Sequence, residues 1–170
     1  MKRRQADSLT IKESYKRAGL SGKTALILST WFGTGLIPLA PGTFGSLAAI
    51  PFFIFFNYLG VAFTGLFLII FIPLAFWASG RSEKLLGRDD PSEVVIDEVI
   101  GFFFAVFFIP VSWVGIIIGF ALFRFFDILK PFPIGTIDKR VKGGIGIVLD
   151  DILAGIYANI CLRLILMLIK

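Results

Sequence analysis

The chain has 170 residues, of which 56% are hydrophobic and only 17% charged, with 20 Phe and no His. Its mean hydropathy is +0.88, whereas a typical soluble domain carries about 25% charged residues. This composition excludes a soluble enzyme, a disordered chain and, with one Cys, a disulfide-rich module, and it places the protein in a membrane. Without His there can be no phosphohistidine, no Ser-His-Asp triad and no imidazole zinc site. Acid–base or metal chemistry then falls to the 12 carboxylates, the lysines and water. The net charge of +5 suits contact with anionic headgroups. It would suit nucleic acid too, but the apolar bulk argues against that partner.

Taken in chain order, residues 1–24 form a basic arm with Lys2, Arg3, Arg4, Lys12, Lys16, Arg17 and Lys23. It reads as an amphipathic, partly helical arm on the membrane surface, or else as a loose tail. From Thr24 to Gly80 there is no charge at all. Ala25–Phe32 is a short apolar piece, interrupted by Gly33-Thr34-Gly35 and Pro41-Gly42-Thr43-Phe44-Gly45-Ser46. Apolar helices are predicted over Leu47–Tyr58 and Val61–Ala78, with a turn at Asn57–Gly60. Val99–Ile109 and Val111–Phe123 form a second apolar pair, broken at Pro110, that either spans or re-enters. Ile152–Ile169 is long enough for a last span, with Arg163 able to snorkel or to face a partner. Cys161, inside an apolar run, reads as a packing residue. The fold expected is all-α: a polytopic bundle of about five apolar helices.

Charge sets the topology. The arm, the Arg81–Arg88 loop and the Lys130–Lys142 loop all carry Lys and Arg, so the positive-inside rule puts them on the cytoplasmic side. That arrangement gathers Asp97, Glu98, Asp127, Asp138, Asp150 and Asp151 at one face. Carboxylates beside hydrocarbon are costly and mark functional sites. A hard divalent cation is the simplest compensation, since Mg²⁺ takes carboxylate and phosphate oxygens. Arg124, Asp127 and Lys130 recur every three residues and would share a helix face, one ligand between two cations. Asp150-Asp151 is expected to open the last helix, one acid toward a metal and the other capping. Asp138 reads mainly as a solvated cap. The segment Pro41–Ser46, with Thr43 and Ser46, either forms an anion site at a helix start or is an ordinary turn.

These motifs together resemble the phosphatidylglycerophosphatase A family. The resemblance runs from about Phe32 to Gly155 and rests on Gly33-Thr34-Gly35 with Pro41–Leu47, and on Val95-Ile96-Asp97-Glu98-Val99-Ile100-Gly101. It continues through Phe123-Arg124-Phe125-Phe126-Asp127-Ile128-Leu129-Lys130-Pro131-Phe132-Pro133-Ile134, Asp138, Gly143–Ile147 and Asp150-Asp151-Ile152-Leu153-Ala154-Gly155. It implies a bacterial, multi-pass inner-membrane phosphatase domain over 25–170 that converts phosphatidylglycerophosphate to phosphatidylglycerol with Mg²⁺ at the cytoplasmic face. The expected ligands are Asp97, Asp127 and Asp151, with Glu98 or Asp150 as base or further ligand. Arg124 and Lys130 would neutralise phosphate oxygens, and Thr43 and Ser46 would contact substrate. Attack by a metal-activated water is expected, because neither His, a suitable Cys nor an Asp-x-Asp nucleophile motif is available. Two other readings are weighed. An ion-transport protein would place its acids mid-helix, and a CDP-alcohol-type phosphotransferase would show an Asp-Gly-x-x-Ala-Arg run, which is absent. Nothing in the sequence specifies an oligomer.

Overall fold

A computed structural model describes residues 10–169, so the first part of the basic arm, 1–9, lies outside the described residues. The rest is helical, without a strand among the described residues. In order come α1 Ile11–Arg17, α2 Leu20–Ser29, α3 Pro41–Leu59, α4 Val61–Leu86, α5 Ile96–Val106, α6 Trp113–Leu129, α7 Ile134–Arg140 and α8 Gly143–Ile169. The helices α3, α4 and α8 are each long and apolar enough to cross a bilayer. The five expected apolar segments correspond to α3, α4, α5, α6 and α8.

Their boundaries differ from expectation in an instructive way. The last helix begins at Gly143, not Ile152, so Asp150-Asp151 sits about two turns inside α8 and opens nothing. Glycine costs about 1 kcal/mol in a helix relative to Ala, which is why Gly143–Gly146 reads as a loop. The small residues are needed for contact instead: a Cβ at Gly144 would collide with the Phe76 carbonyl and Gly80 of α4. Pro41 likewise starts α3 at its first turn, the position proline tolerates best. The polar residues of α4 and α6 extend those helices to Leu86 and Leu129. Lys130 is then the left-handed cap of α6, φ 44°, and leaves the helix face carrying Arg124 and Asp127.

Helix α5 is the centre of the bundle, with Ile96, Val99, Ile100, Phe102 and Phe103 fully buried. It packs against α8, α3, α6 and α4. At its crossing with α8 a Cβ on Gly155 would run into the Gly101 carbonyl, so the two backbones touch as small residues allow. The 11 residues of α5 reach only about 16 Å into a hydrocarbon core about 30 Å thick. The non-helical stretch that follows carries the hairpin on to the end of α8, where Pro110, Val114 and Met167 line one groove. Irregular backbone at that depth needs internal partners. Asn159 supplies them: its Nδ2 donates to the carbonyls of Phe104 (3.1 Å), Ala105 (3.0 Å) and Phe107 (2.9 Å). Arg163 adds a bond to the Phe107 carbonyl (3.1 Å) and holds Asn159 Oδ1 (2.7 Å). Of the two roles expected for Arg163, it is therefore the facing of a partner, here the broken backbone, that the contacts bear out.

Gly155→Val should destabilise the bundle by about 1–3 kcal/mol, the usual cost of overpacking a close crossing. Asn159→Leu should cost a similar roughly 1–3 kcal/mol by stranding carbonyls. Both are read as lowered melting temperatures in detergent, and an unchanged melt for Asn159→Leu would contradict the role given to its amide.

Candidate active site

Four helices, α3, α5, α6 and α8, converge at the α5 N-terminus. The first turn of α5 carries Asp97 and Glu98, and α8 carries Asp151 opposite them. One carboxylate oxygen from each of Asp97, Glu98 and Asp151 falls within 4.8 Å of the others. Asp97 and Asp151 are buried, 7% and 3% exposed, while Glu98 is half-buried. Asp97 Oδ1, Glu98 Oε2 and Asp151 Oδ2 are buried with no hydrogen-bond partner. Unsatisfied buried acceptors each cost about 1–3 kcal/mol, more for charged groups. A hard cation satisfies several such oxygens at once, so the donor set fits a divalent metal ion.

The other expected site residues arrange themselves around this group. Asp127, from α6, pairs with Arg124 at 2.9 Å and also approaches the Asp151 carboxylate. It stands beside the three-acid group and is not one of its members. Gly42, in the first turn of α3, closes the site from another side. A Cβ there would overlap Glu98 Oε1 and crowd Arg124 Nη1, so this backbone approaches the acids as only glycine can. Thr43 is half-buried on the same turn. Ser46 is fully buried, and its hydroxyl donates to the Gly42 carbonyl at 2.9 Å. That donor is spent inside α3 and not on a substrate.

Lys130 is committed to carboxylates. Its Nζ pairs with Asp138 Oδ1 of α7 at 2.8 Å and with Asp150 Oδ2 of α8 at 2.5 Å. Burial would lower the ammonium pKa, but the Asp138 and Asp150 carboxylates outweigh it and hold the group above its ordinary value. The expected single face of Arg124, Asp127 and Lys130 is therefore split in two. Arg124 and Asp127 serve the α5 acids, and Lys130 ties α6, α7 and α8 together. Sequence reasoning undervalued Asp138, since spacing along the chain gives no sign that α7 folds back over the Lys130 cap. Gly42 was part of a noted motif, but nothing in sequence marked it as the residue against Glu98.

The family model for phosphatidylglycerophosphatase A matches residues 27–166. The chain belongs to the phosphatidylglycerophosphatase A family. It is 44% identical to the Haemophilus influenzae protein of that name over 136 residues, 79% of this chain and 83% of the relative. It is 38% identical to the Escherichia coli protein of the same name over 133 residues, 78% of this chain and 77% of the relative. A Bacteroides thetaiotaomicron relative named "Putative phosphatidylinositol-3-phosphatase" is 38% identical over 144 residues, covering 79% and 89% of the two chains. No solved structure matches. The protein is a membrane phosphatase, and its buried acids are the group in the bundle suited to a metal.

Lys130→Met strips the shared cation from a carboxylate, Asp150, whose side chain is 5% exposed. Breaking such a pair should cost about 3 kcal/mol. Adding Asp150→Asn to that variant should recover part of the loss, because the buried charge goes with its partner. Melting of the two single variants and the double variant in detergent measures the coupling. Additive effects would mean that Lys130 and Asp150 act independently.

Proposed function

We propose that this family member hydrolyses the terminal phosphate of phosphatidylglycerophosphate, giving phosphatidylglycerol and inorganic phosphate, at the cytoplasmic face of a bacterial inner membrane. The observation that carries this reading is the set of three partnerless carboxylate oxygens of Asp97, Glu98 and Asp151. Mg²⁺ is the ion proposed; Asp97 and Asp151 would hold it with Asp127, whose carboxylate neighbours Asp151, and Glu98 stands in the same cluster as further ligand or base. Bound there, it supplies an acidified water and positive charge for the phosphoryl oxygens.

The chain's own residues account for the remaining requirements. Attack of a water oxygen on phosphorus breaks the ester P–O bond, so one proton must leave the water and one must reach the departing lipid alcohol. Glu98, half-buried among the acids, is placed to take the first proton and to return it to the departing alcohol oxygen. Asp150 is the alternative base, but its pairing with Lys130 suits it better to support. Arg124 lies between Asp127 and the first turn of α3, where its fork can neutralise phosphoryl oxygens as charge develops. Lys130 adds positive charge to the same end of the bundle while holding Asp150. Thr43 and the α3 N-terminus offer donors to an anion. An ion-transport reading fits less well, because the acids cluster at one end and α8 carries none beyond Asp151.

The arm over 1–24 is proposed to lie on the cytoplasmic surface, with 25–170 forming the phosphatase domain. Two measurements test these assignments. Phosphate release from phosphatidylglycerophosphate should exceed that from phosphatidylinositol 3-phosphate and phosphatidic acid, vanish with chelator and return with Mg²⁺. Asp97→Asn, Asp127→Asn and Asp151→Asn should each lower it about a hundredfold or more while the protein still inserts. Retention of most activity by Asp127→Asn at saturating Mg²⁺ would remove Asp127 from the ligand set. For sidedness, Lys84→Cys and Lys142→Cys in a Cys161→Ser background should react with an impermeant thiol reagent only in opened cells. Tyr58→Cys, at the α3–α4 turn and 89% exposed, should react in intact spheroplasts. The reverse pattern would invert the topology.

A further inference from the structure

Outside the acidic centre, the described residues hold a groove of about 820 Å³ between α1 and the α2 turn. This volume is within the roughly 300–1,000 Å³ usual for ligand sites. Its walls are apolar, including Tyr15, Ile27, Phe32 and Leu36, and its polar edge is formed by Lys12 and Lys16. We propose that the groove holds an acyl chain of an anionic bilayer phospholipid, whose phosphate meets Lys12 and Lys16. The site is separate from the hydrolytic reading.

The orientation of the groove supports that occupant. Helix α1 is docked at the polar end of α4, where Ser14 Oγ donates to the Leu85 carbonyl at 3.0 Å. The lysines therefore stand at headgroup level. At the other end, the chain reverses through Trp31, Phe32 and Gly33, all at positive φ (46°, 55° and 94°). The Trp31 ring packs edge-on against Phe52 and Phe71, with centroids 4.9 and 5.5 Å away. Phe71 lies 15 residues before the end of α4, or about 22 Å along it. The groove thus runs from headgroup level toward the bilayer interior, as a lipid does.

The chemistry of the lining makes the same selection. Its hydroxyl at Thr30 is turned away from a ligand, since Oγ1 donates to the Leu26 carbonyl at 2.7 Å. Among the described residues no acid lines the groove. The single acid of α1, Glu13, accepts from Thr10 N (3.0 Å) and Oγ1 (2.9 Å) in the N-cap. Among the described residues neither Lys12 nor Lys16 has an ion-pair partner. An apolar trough with two cations at one end excludes a free inorganic anion, which the walls cannot satisfy. It also disfavours a zwitterionic lipid, whose choline would face the lysines.

The test uses the full chain in phosphatidylcholine nanodiscs containing a trace of phosphatidylglycerol with a photoactivatable acyl chain. Crosslinks should map to peptides containing Ile27, Phe32 and Leu36, and unlabelled phosphatidylglycerol should compete far better than added phosphatidylcholine. Each basic residue near an anionic surface contributes about fivefold in affinity, so Lys12→Gln with Lys16→Gln should raise the competing concentration roughly 25-fold. Ile27→Trp keeps both lysines but fills the trough, and should suppress labelling of those peptides. Equal labelling by a phosphatidylcholine probe, or labelling unchanged in both variants, would overturn the proposal. Turnover is not the readout, so the result is independent of the hydrolytic assignment.

Discussion

The bundle is organised around an imbalance of charge at one end. Asp97, Glu98, Asp127, Asp138, Asp150 and Asp151 face two cations, Arg124 and Lys130. Each cation has already been divided among neighbours: Arg124 pairs with Asp127, and Lys130 pairs with Asp138 and Asp150. What remains without a donor is one oxygen each of Asp97, Glu98 and Asp151, together with the second oxygen of Asp150. A low-dielectric site leaves such a group under strong mutual repulsion. An added cation would relieve both the repulsion and the missing donors, so the electrostatics of the group suit it to hold a metal.

Close helix packing creates that imbalance. Gly101 and Gly155 let α5 and α8 meet at backbone distance, and Gly80 and Gly144 do the same for α4 and α8. Gly42 brings the start of α3 against Glu98. Without side chains at these crossings, the acids of α5 and α8 can converge, where larger residues would hold the helices apart. The same closeness buries Asp97, Asp150 and Asp151, which raises the electrostatic stake of each carboxylate. Phe53, Phe102, Phe103 and Phe123 fill the layer immediately beyond, all with at most 1% exposure. The phenylalanine-rich composition therefore serves in part as a dry floor beneath the acids.

Much of this was legible in the sequence because membrane segments and buried acids leave strong signals. The uncharged stretches marked the apolar helices, and the acids stood out against them. Boundaries were less legible where one residue type serves two purposes. Gly143, Gly144 and Gly146 suggest a loop by propensity, yet they begin α8: Gly143 takes a positive φ of 75°, and α4 and Val141 leave no space for a Cβ at Gly144 and Gly146. Lys130 follows the three-residue spacing of Arg124 and Asp127, but its left-handed backbone ends the helix and redirects the ammonium. Its partner Asp138 becomes adjacent only when α7 folds back. Such pairings depend on tertiary closure, to which a local periodicity is blind.

The short central helix links the site to the opposite side of the bundle. Presenting Asp97 and Glu98 at its first turn gives α5 an N-terminus in the polar layer, where the helix dipole favours negative charge. Its other end then stops after 11 residues, with carbonyls exposed inside the apolar region. Asn159 lies eight residues beyond Asp151 on α8, about 12 Å deeper, and its amide reaches those carbonyls. Arg163, one turn further, fixes the amide and takes the Phe107 carbonyl as well. One face of α8 thus contributes Asp151 to the acids and Asn159 with Arg163 to the broken end of the helix that carries the other two. The position of α5 is set toward both ends by the same partner, through the Gly101–Gly155 crossing and the Asn159 amide. A polar residue that looks isolated in an apolar span is here part of the support for the site.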